Sequence, residues 1–256
     1  MKRVFITNML LLIIIATSSF ATIVAKENSV GRESVKATQN RVEKNLELAQ
    51  FDVVKFNVAG ADIQIRQGEG HRVEISGEKE LVDQIVVEFK ESKLYIYTNK
   101  GDRRVSISRK KEINKVAITL YAANYTKVEN KGVGNLHFAG DFELWNIEVE
   151  SKGVGKVSSD NLRAHKAKFE AEGVGTMTLK GASHTLIIES EGVGNIDAGE
   201  MSSLYATVKS EGVGNIVCRA SREIDIISSG IGNVIYKGNP PIKRVVQKGI
   251  GRVIEQ

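Results

Sequence analysis

A tripeptide, Gly-Val-Gly or Gly-Ile-Gly, recurs seven times in the second half of this chain, at intervals of 18 to 21 residues. The copies occupy residues 132–134, 153–155, 173–175, 192–194, 212–214, 230–232 and 249–251. A fixed period near 20 with strand-forming residues between the copies is typical of a solenoid, in which each repeat forms one coil stacked on the next. The sequence therefore predicts a β-solenoid over residues 129–256.

Alignment of the copies on their first glycine gives columns of similar residues. The position four residues earlier is always apolar: Val128, Val149, Phe169, Ile188, Val208, Ile226 and Val245. The position four residues later is apolar as well: Leu136, Val157, Met177, Ile196, Ile216, Val234 and Val253. Mostly charged residues separate these columns, which predicts one inward and one outward face. Coils of about 20 residues stacked about 4.8 Å apart as parallel strands make a right-handed parallel β-helix.

The paired glycines are interpreted as structural turn residues, one corner of each coil. They are Gly132, Gly134, Gly153, Gly155, Gly173, Gly175, Gly192, Gly194, Gly212, Gly214, Gly230, Gly232, Gly249 and Gly251. A sharp corner with positive φ excludes a Cβ, and the Val or Ile between the glycines is expected to point into the rod. Asparagine follows in four copies (Asn135, Asn195, Asn215, Asn233), where it tolerates the left-handed conformation and can stack into an amide ladder. A phosphate-binding loop is excluded because no copy continues with a third glycine, a Lys-Ser/Thr pair or a helix.

The first half of the chain alternates apolar and polar residues from Phe51 to Leu120 in short runs bounded by turn residues. This pattern predicts short β-strands. We assign residues 48–128 to an N-terminal β region, packed against the solenoid or continuing it, and the whole fold to the all-β class. Residues 26–47 are polar without apolar periodicity and are interpreted as a linker.

Residues 1–25 have the pattern of a signal peptide: Lys2 and Arg3, then an apolar run, then small residues. The alternative is an uncleaved anchor, which would be the only contact with a membrane. Cleavage lowers the net charge from +5 to +3, which is too weakly basic for nucleic-acid binding. Cys218 is the only cysteine, so the chain forms no internal disulfide. The protein is expected to be exported, to the periplasm, the outer membrane surface or the extracellular space.

Stacked coils would bring several glutamates together beside the glycine corner. They are Glu170, Glu172, Glu189, Glu191 and Glu211. Like charges about 5 Å apart repel by about 1 kcal/mol even in a water-like dielectric, and Ca²⁺ would relieve this because it favours carboxylate oxygens. The alternative is a solvated charged face that Lys168 and Lys209 neutralise. Apart from Ca²⁺, no cofactor is expected.

His165 and His184 lie eight residues before their glycine corners, and Trp145 has the equivalent position one coil earlier. We expect the three side chains to stack. Two imidazoles could begin a metal site, but no third ligand occupies that position in the other copies. A surface patch that contacts a sugar or a protein is the favoured interpretation. No nucleophile with a base and no cluster of Asp160, Asp197 and Asp225 is recognised, so the chain is not expected to be an enzyme.

The repeated Ser-Glu-Gly-Val-Gly-Asn-Ile resembles the putative auto-transporter adhesin head GIN domain family. Three further stretches resemble its strands: Phe51 to Gly68, Leu94-Tyr95-Ile96 and Val116 to Leu120. Tyr236 to Pro240 before the last Gly-Ile-Gly is similar as well, so that the resemblance covers about residues 48–256. It implies a β-helical envelope domain exported by Gram-negative bacteria, of the Bacteroidetes type above all, with no catalytic residues to transfer.

These observations favour a non-enzymatic envelope or cell-surface protein that uses its solenoid faces for binding or adhesion. An envelope protein or a glycan is the expected partner. One alternative is a structural or assembly role, in which copies pair through the strand edges of the solenoid as a homo-oligomer. A carbohydrate-active β-helix enzyme is the other alternative.

Overall fold

A computed structural model describes residues 30–38, 40–99 and 116–256, which fold almost entirely as β-strands. The strands before the first glycine corner are β1 (Val30–Thr38), β2 (Arg41–Leu48), β3 (Val53–Asn57), β4 (Ala59–Gln67), β5 (Arg72–Glu78), β6 (Ile85–Lys90), β7 (Lys93–Thr98), β8 (Val116–Ala122) and β9 (Lys127–Asn130). Those after it are β10 (Val133–Ser151), β11 (Val154–Ala171), β12 (Val174–Ser190), β13 (Ile196–Ser210), β14 (Ile216–Arg219), β15 (Glu223–Ser228), β16 (Val234–Lys237), β17 (Ile242–Gln247) and β18 (Val253–Glu255). A four-residue helix, α1 (Lys79–Val82), follows β5.

The predicted signal segment, residues 1–25, lies outside the described residues. Within the described ranges, no helix has both the length and the apolar character that crossing a membrane requires.

The repeat region forms the predicted β-solenoid of parallel coils. β10, β11 and β12 are 17 to 19 residues long because they continue around corners of the coil. Neighbouring coils pair in parallel and in register, so that Leu136 lies beside Val157 and Val157 beside Met177. The all-β fold with stacked coils of about 20 residues is confirmed.

The two apolar columns fill the interior of the rod. Phe169, Ile188 and their equivalents from Val128 to Ile226 are fully buried. The column from Leu136 to Val234 on the other side is at most 3% exposed. Full burial of one such side chain contributes about 1.5–3 kcal/mol, so each coil adds a similar increment to the same core. In the last coil, Val245 is 39% exposed.

The two glycines of a corner are required for different steric reasons. The first has no positive φ, but a Cβ on Gly153 would overlap the carbonyl oxygen of Gly132 in the coil before. The second glycine of every copy has φ between +135° and +156°, where side chains are strained. A Cβ on Gly155 would also overlap the carbonyl of Gly134. The close approach of the neighbouring coil's backbone therefore excludes a side chain at both positions.

The expectation that the Val or Ile between the glycines points into the rod is wrong. These residues are 45–72% exposed and form one outward row, named here the outer ridge: Val133, Val154, Val174, Val193, Val213, Ile231 and Ile250. The glycines themselves occupy the inward positions of the corner. Because an extended chain alternates sides, the residue between them lies outside.

The asparagines after the corners also differ from expectation. Their side-chain oxygens accept backbone N–H groups of the next coil: Asn195 Oδ1 from Asn215 N at 2.8 Å, and Asn215 Oδ1 from Asn233 N at 2.9 Å. They thus bond to backbone and not to one another's amides. None of them has positive φ, since the second glycine before them already supplies that conformation.

The N-terminal β region continues the solenoid. β4 pairs in parallel with β10 and β3 with β9, which makes β3 and β4 the coil that precedes the first repeat. Antiparallel strands then cover this end, because β5 pairs antiparallel with β2 and β8, and β6 with β7. The described strands form one continuous sheet.

The interpretation of residues 26–47 as a linker is wrong where the structure describes them. β1 and β2 pair antiparallel as a hairpin, and β2 pairs with β5. Val42 and Leu46 lie in the core. Lys44 is also inward, and its ammonium contacts Asp83 at 2.8 Å. A buried lysine with a carboxylate partner can occupy a core-facing position, which hides the strand alternation in the sequence.

Candidate functional site

Four rings follow one another along one side of the solenoid, three of them stacked and the fourth tilted, and we name them the ring stack. Trp145 and His165 are 4.4 Å apart between ring centroids and nearly parallel, at 9°. His165 and His184 are 4.7 Å apart at 22°, and His184 contacts Tyr205 at 5.2 Å and 40°. The predicted stacking of Trp145, His165 and His184 is present. All four side chains are exposed.

The register of the coils positions the rings. Asn146 pairs with Lys166, and Lys166 with Thr185, so the residues just before them lie one above another about 4.8 Å apart. The equivalent residue of the next coil is Leu204. The structure instead continues the stack with Tyr205, one residue further along. Tyr205 was missed because alignment on the glycines identifies equivalent positions, whereas a long side chain can reach its neighbour's row.

A shallow groove of about 480 Å³ lies beside the ring stack. Its lining consists of Glu143, Leu144, Trp145, Arg163, Ala164, Ala182, Ser183 and His184. Small residues on the second and third coils leave this surface shallow and open to solvent next to Trp145. The exposed Glu143 and Arg163 side chains make no ion pair with any described residue. The groove therefore offers an aromatic ring together with a hydrogen-bond acceptor and a hydrogen-bond donor.

Gln67 fastens the strand that carries Trp145. The side-chain oxygen of Gln67 accepts the Glu143 N–H at 2.7 Å, and its side-chain nitrogen donates to the carbonyls of Glu143 at 3.0 Å and Ala123 at 2.9 Å. These bonds satisfy backbone groups of β10 between its segments paired with β4 and β9, where no described strand that precedes β10 pairs with it. Trp145 thus lies at the junction of the N-terminal β region and the repeats, on backbone that Gln67 holds.

The glutamates proposed as Ca²⁺ ligands are interleaved with lysines. Lys168 contacts Glu170 and lies 3.0 Å from Glu189. Lys209 lies 3.1 Å from Glu211 and 4.0 Å from Glu191. Glu172 pairs with Lys152 at 2.9 Å. Glu170 does approach Glu148 and Glu150, to within 4.8 Å, yet these two carboxylates contact Lys127. The arrangement favours the alternative reading, a charged face that lysines neutralise.

The most buried acidic groups of this face lie near the N-terminal end. Burial alone would raise the pKa of the Glu129 carboxyl, but the Lys131 and Lys55 ammonium groups at 2.6 and 2.8 Å outweigh it and hold that pKa below its ordinary value of 4.5. The pKa of Glu150 is lowered in the same way, against burial, by Lys127 and Lys152. Both carboxylates are therefore ionised at neutral pH and serve as permanent partners of the lysines.

Cys218 is fully buried, and burial raises the pKa of its thiol to about 12. The thiolate is the reactive form of cysteine. This thiol is therefore a packing residue of the core.

The sequence from residue 50 to residue 240 matches the family model described as putative auto-transporter adhesin, head GIN domain. Among solved structures, a putative adhesin from Bacteroides fragilis is 29% identical, with a TM-score of 0.79 over 86% of this chain and 98% of that one. A putative adhesin from Parabacteroides merdae has 16% identity and a TM-score of 0.61 over 88% of this chain and 100% of that one. A putative lipid binding protein from Parabacteroides distasonis has 16% identity and a TM-score of 0.56, over 84% and 97%. The last two share the fold. No match was found among curated proteins.

Proposed function

This chain belongs to the putative auto-transporter adhesin head GIN domain family, and we propose that it is an exported, non-enzymatic binding protein whose ring stack contacts a glycan. The observation that carries the proposal is Trp145, which is 71% exposed. His165 covers one face of its ring. On the other face, no ring of a described residue stacks. A large aromatic surface left open beside a groove is a common feature of ligand sites.

The chemistry of the groove fits a sugar. The C–H face of a pyranose packs on an aromatic ring, whose face is electron-rich. Its hydroxyls both donate and accept hydrogen bonds, and Glu143 and Arg163 supply an acceptor and donors that have no ion-pair partner among the described residues. A purely apolar ligand would leave those two side chains unused. A glycan fits this lining better than an acyl chain does.

The adhesin designation of the Bacteroides fragilis relative supports a binding role outside the cytoplasm. We place the protein on the periplasmic or surface side of the envelope. The proposal assigns no reaction to it. In the described parts of the chain, the three carboxylates that lie close enough together to share an ion, those of Glu148, Glu150 and Glu170, contact Lys127 and Lys168.

The test is a binding screen of the full chain against a glycan array and against immobilised envelope proteins. We expect binding to a restricted set of glycans and loss of at least tenfold in affinity for Trp145→Ala, because a stacked aromatic contact contributes about 1 kcal/mol or more beyond its buried area. Trp145→Phe keeps a ring face and should retain most of the affinity. Val35→Ala changes an exposed side chain on β1, remote in sequence, and should change nothing.

Two results would contradict the proposal. One is binding to no glycan in the array. The other is glycan binding that Trp145→Ala leaves intact. If the chain binds an envelope protein and Trp145→Ala abolishes that binding, the ring stack is a protein-binding site and the glycan assignment is wrong.

A further inference from the structure

The outer ridge is a continuous apolar row on the surface of the rod. Consecutive ridge residues pair as bridges between coils, from Val133 beside Val154 to Ile231 beside Ile250. With coils about 4.8 Å apart, the row is about 29 Å long. Each of its side chains is about half exposed or more. Contiguous apolar patches of this kind on soluble proteins mark interaction sites.

Backbone geometry alone does not require an apolar residue on the ridge. A β-branched side chain suits extended backbone, and threonine is β-branched and close to valine in shape. Yet every copy carries Val or Ile at this exposed position. The next outward column, two residues later, is polar throughout: Asn135, Lys156, Thr176, Asn195, Asn215, Asn233 and Arg252. The surface on this side of the corner is therefore apolar in one row only.

A partner must contact the ridge through side chains. The ridge N–H groups already donate to the coil before, as Val174 N does to Gly153 O at 3.0 Å. Ridge carbonyls accept from that same preceding coil, as Val193 O does from Gly175 N at 2.9 Å. An extended peptide could not add itself here as another strand, because that mode needs free backbone groups.

Charges beside the ridge change sign along the rod. The outward residue two positions before each ridge residue is Lys131, Lys152, Glu172, Glu191 and Glu211 in the first five coils. An antiparallel pair of rods, with its two-fold axis between the second and third coils, sets Lys131 against Glu191 and Lys152 against Glu172. A parallel two-fold pair would instead set this column against the column on the other side of the ridge, with Lys152 against Lys156 and Glu172 against Thr176. Complementary charges mainly fix orientation.

We infer that the outer ridge is a contact surface for a second copy of this chain, in an antiparallel two-fold arrangement. Two straight rows of apolar side chains with the same spacing can pack against each other coil by coil and exclude water between them, as in dry β-sheet interfaces. Val133 then faces Val193 of the second copy, and Val154 faces Val174 of the second copy. The inference is independent of the glycan proposal, since the ridge and the ring stack lie at different corners of the coil.

A lipid surface is the less suitable occupant. Apolar surfaces that bind membranes are typically bordered by lysine and arginine, which attract anionic headgroups. Here the middle of the bordering column is Glu172, Glu191 and Glu211. With three lysines and three glutamates in all, the bordering column has no excess of positive charge that would attract an anionic membrane.

Sedimentation equilibrium of the full chain tests the inference. We expect a monomer–dimer equilibrium in the micromolar range, because a narrow ridge buries less than a standard interface. The double variant Val174→Thr/Val193→Thr keeps side-chain shape and should weaken dimerisation at least tenfold, without a change in the circular dichroism spectrum. Val174→Ile/Val193→Ile is the matched control and should dimerise as the unmodified chain does.

Cysteine cross-linking tests the orientation, and buried Cys218 should not interfere. A mixture of Val133→Cys and Val193→Cys chains should form a disulfide-linked dimer under mild oxidation, while neither variant should do so alone. Cross-linking of each variant with itself would overturn the antiparallel arrangement. Two results would overturn the inference: a chain that stays monomeric up to about 200 μM, or a threonine variant that dimerises as the unmodified chain does. A third is binding of the unmodified chain to anionic vesicles that the threonine substitutions abolish.

Discussion

The two halves of this molecule use glycine in opposite ways. In the repeats, a Cβ on Gly153, Gly194 or any other corner glycine would overlap the backbone of the coil before. In the N-terminal β region, Gly68 and Gly70 have open space where a Cβ would be, and Gly70 has positive φ for its turn alone. Glycine is thus required by local backbone conformation in the N-terminal β region, and by the backbone of the preceding coil in the repeats. The residues allowed at a solenoid corner are limited by the neighbouring coil, whereas those allowed at a turn are limited by the turn's own backbone conformation.

The halves differ in how they are closed as well. A stack of parallel coils leaves unpaired strand edges at its ends. At the N-terminal end of the rod, the antiparallel strands β2, β5 and β6 cover these edges. A cluster of aromatic rings fills the core at this junction, where Tyr125 lies 6.2 Å from Phe51 and 6.3 Å from Phe142 between ring centroids. The N-terminal region therefore caps the solenoid, and the ring stack begins where the cap ends.

Alanine substitution of one glycine in each half gives the largest expected contrast. Gly194→Ala combines a positive φ of 147° with overlap of the Gly175 carbonyl. We expect it to lower the free energy of unfolding by about 3 kcal/mol or more, or to prevent folding. Gly70→Ala has the strain of positive φ but no overlap, so it should cost only about 1 kcal/mol. Urea denaturation monitored by circular dichroism measures both. Equal effects would contradict the distinction between the halves.

The connection between cap and repeats is the next point to break. Gln67→Ala removes three hydrogen bonds to Glu143 and Ala123. Because it leaves backbone groups without partners, we expect a loss of about 1–3 kcal/mol. Binding at the ring stack should weaken too, since Gln67 holds the strand of Trp145. Gln64→Ala is the control, because the Gln64 side chain is exposed and its one hydrogen bond within the described residues comes from Arg66 at 3.4 Å. A Gln67→Ala variant with lower stability but undiminished binding would show that the Gln67 hydrogen bonds do not position Trp145.

Acidification should affect the junction more than the far coils. The pKa values of Glu129 and Glu150 are lowered in the folded protein. Their contribution to stability is therefore present above the unfolded pKa of about 4.5 and is lost as the pH falls through the lower folded pKa. Glu150→Gln should lower the Tm at pH 7 by roughly 2–4 °C, the effect of about 1 kcal/mol in a chain of this size. Its Tm should also fall less between pH 6 and pH 3.

Glu211→Gln supplies the comparison for this prediction. The Glu211 side chain is 42% exposed, whereas that of Glu150 is 9% exposed. Exposed ion pairs contribute little, so the Tm of Glu211→Gln should match that of the unmodified chain at pH 7. A larger fall in Tm for Glu211→Gln than for Glu150→Gln would contradict the prediction that ion pairs near the cap contribute more to stability than those of the far coils.

The asparagine bonds between coils give the smallest expected effect. Asn215→Ala removes the acceptor of the Asn233 N–H, and we expect a loss of about 0.5–1 kcal/mol because the group remains accessible to water. Thr176→Ala, in the same outward column, should lie within about 0.5 kcal/mol of the unmodified chain. Thermal unfolding measures both. No difference between the two would show that the Asn side chains contribute nothing.

The solenoid could be predicted because the same steric requirement recurs in seven coils. Seven copies distinguish the apolar columns that begin at Val128 and Leu136 from chance patterns. It misassigned the outer ridge because an apolar residue is assumed to be buried, whereas here the glycines take the inward positions. The hairpin of β1 and β2 was hidden because Lys44 faces inward and pairs with Asp83, a partner remote in sequence. A single non-repeated pairing leaves no periodic trace.

The candidate site could be predicted in part. Trp145, His165 and His184 share one column, and regular coil spacing was enough to stack them. Glu143, Arg163 and Gln67 could not be assigned, since the groove depends on side chains of different coils and on a contact between regions 76 residues apart in the chain. Such contacts follow from three-dimensional packing and have no sequence signature.

The central claim is that the backbone of the repeats sets the shape while outward residues at the junction bind the ligand. Trp145 is the only tryptophan, so the intrinsic fluorescence of the full chain reports directly on the ring stack. Titration with the soluble oligosaccharides that bind in the array should shift its emission to the blue and reduce quenching by acrylamide, with saturation at the concentration that saturates binding. Saturable glycan binding with no change in Trp145 emission or quenching would contradict the claim.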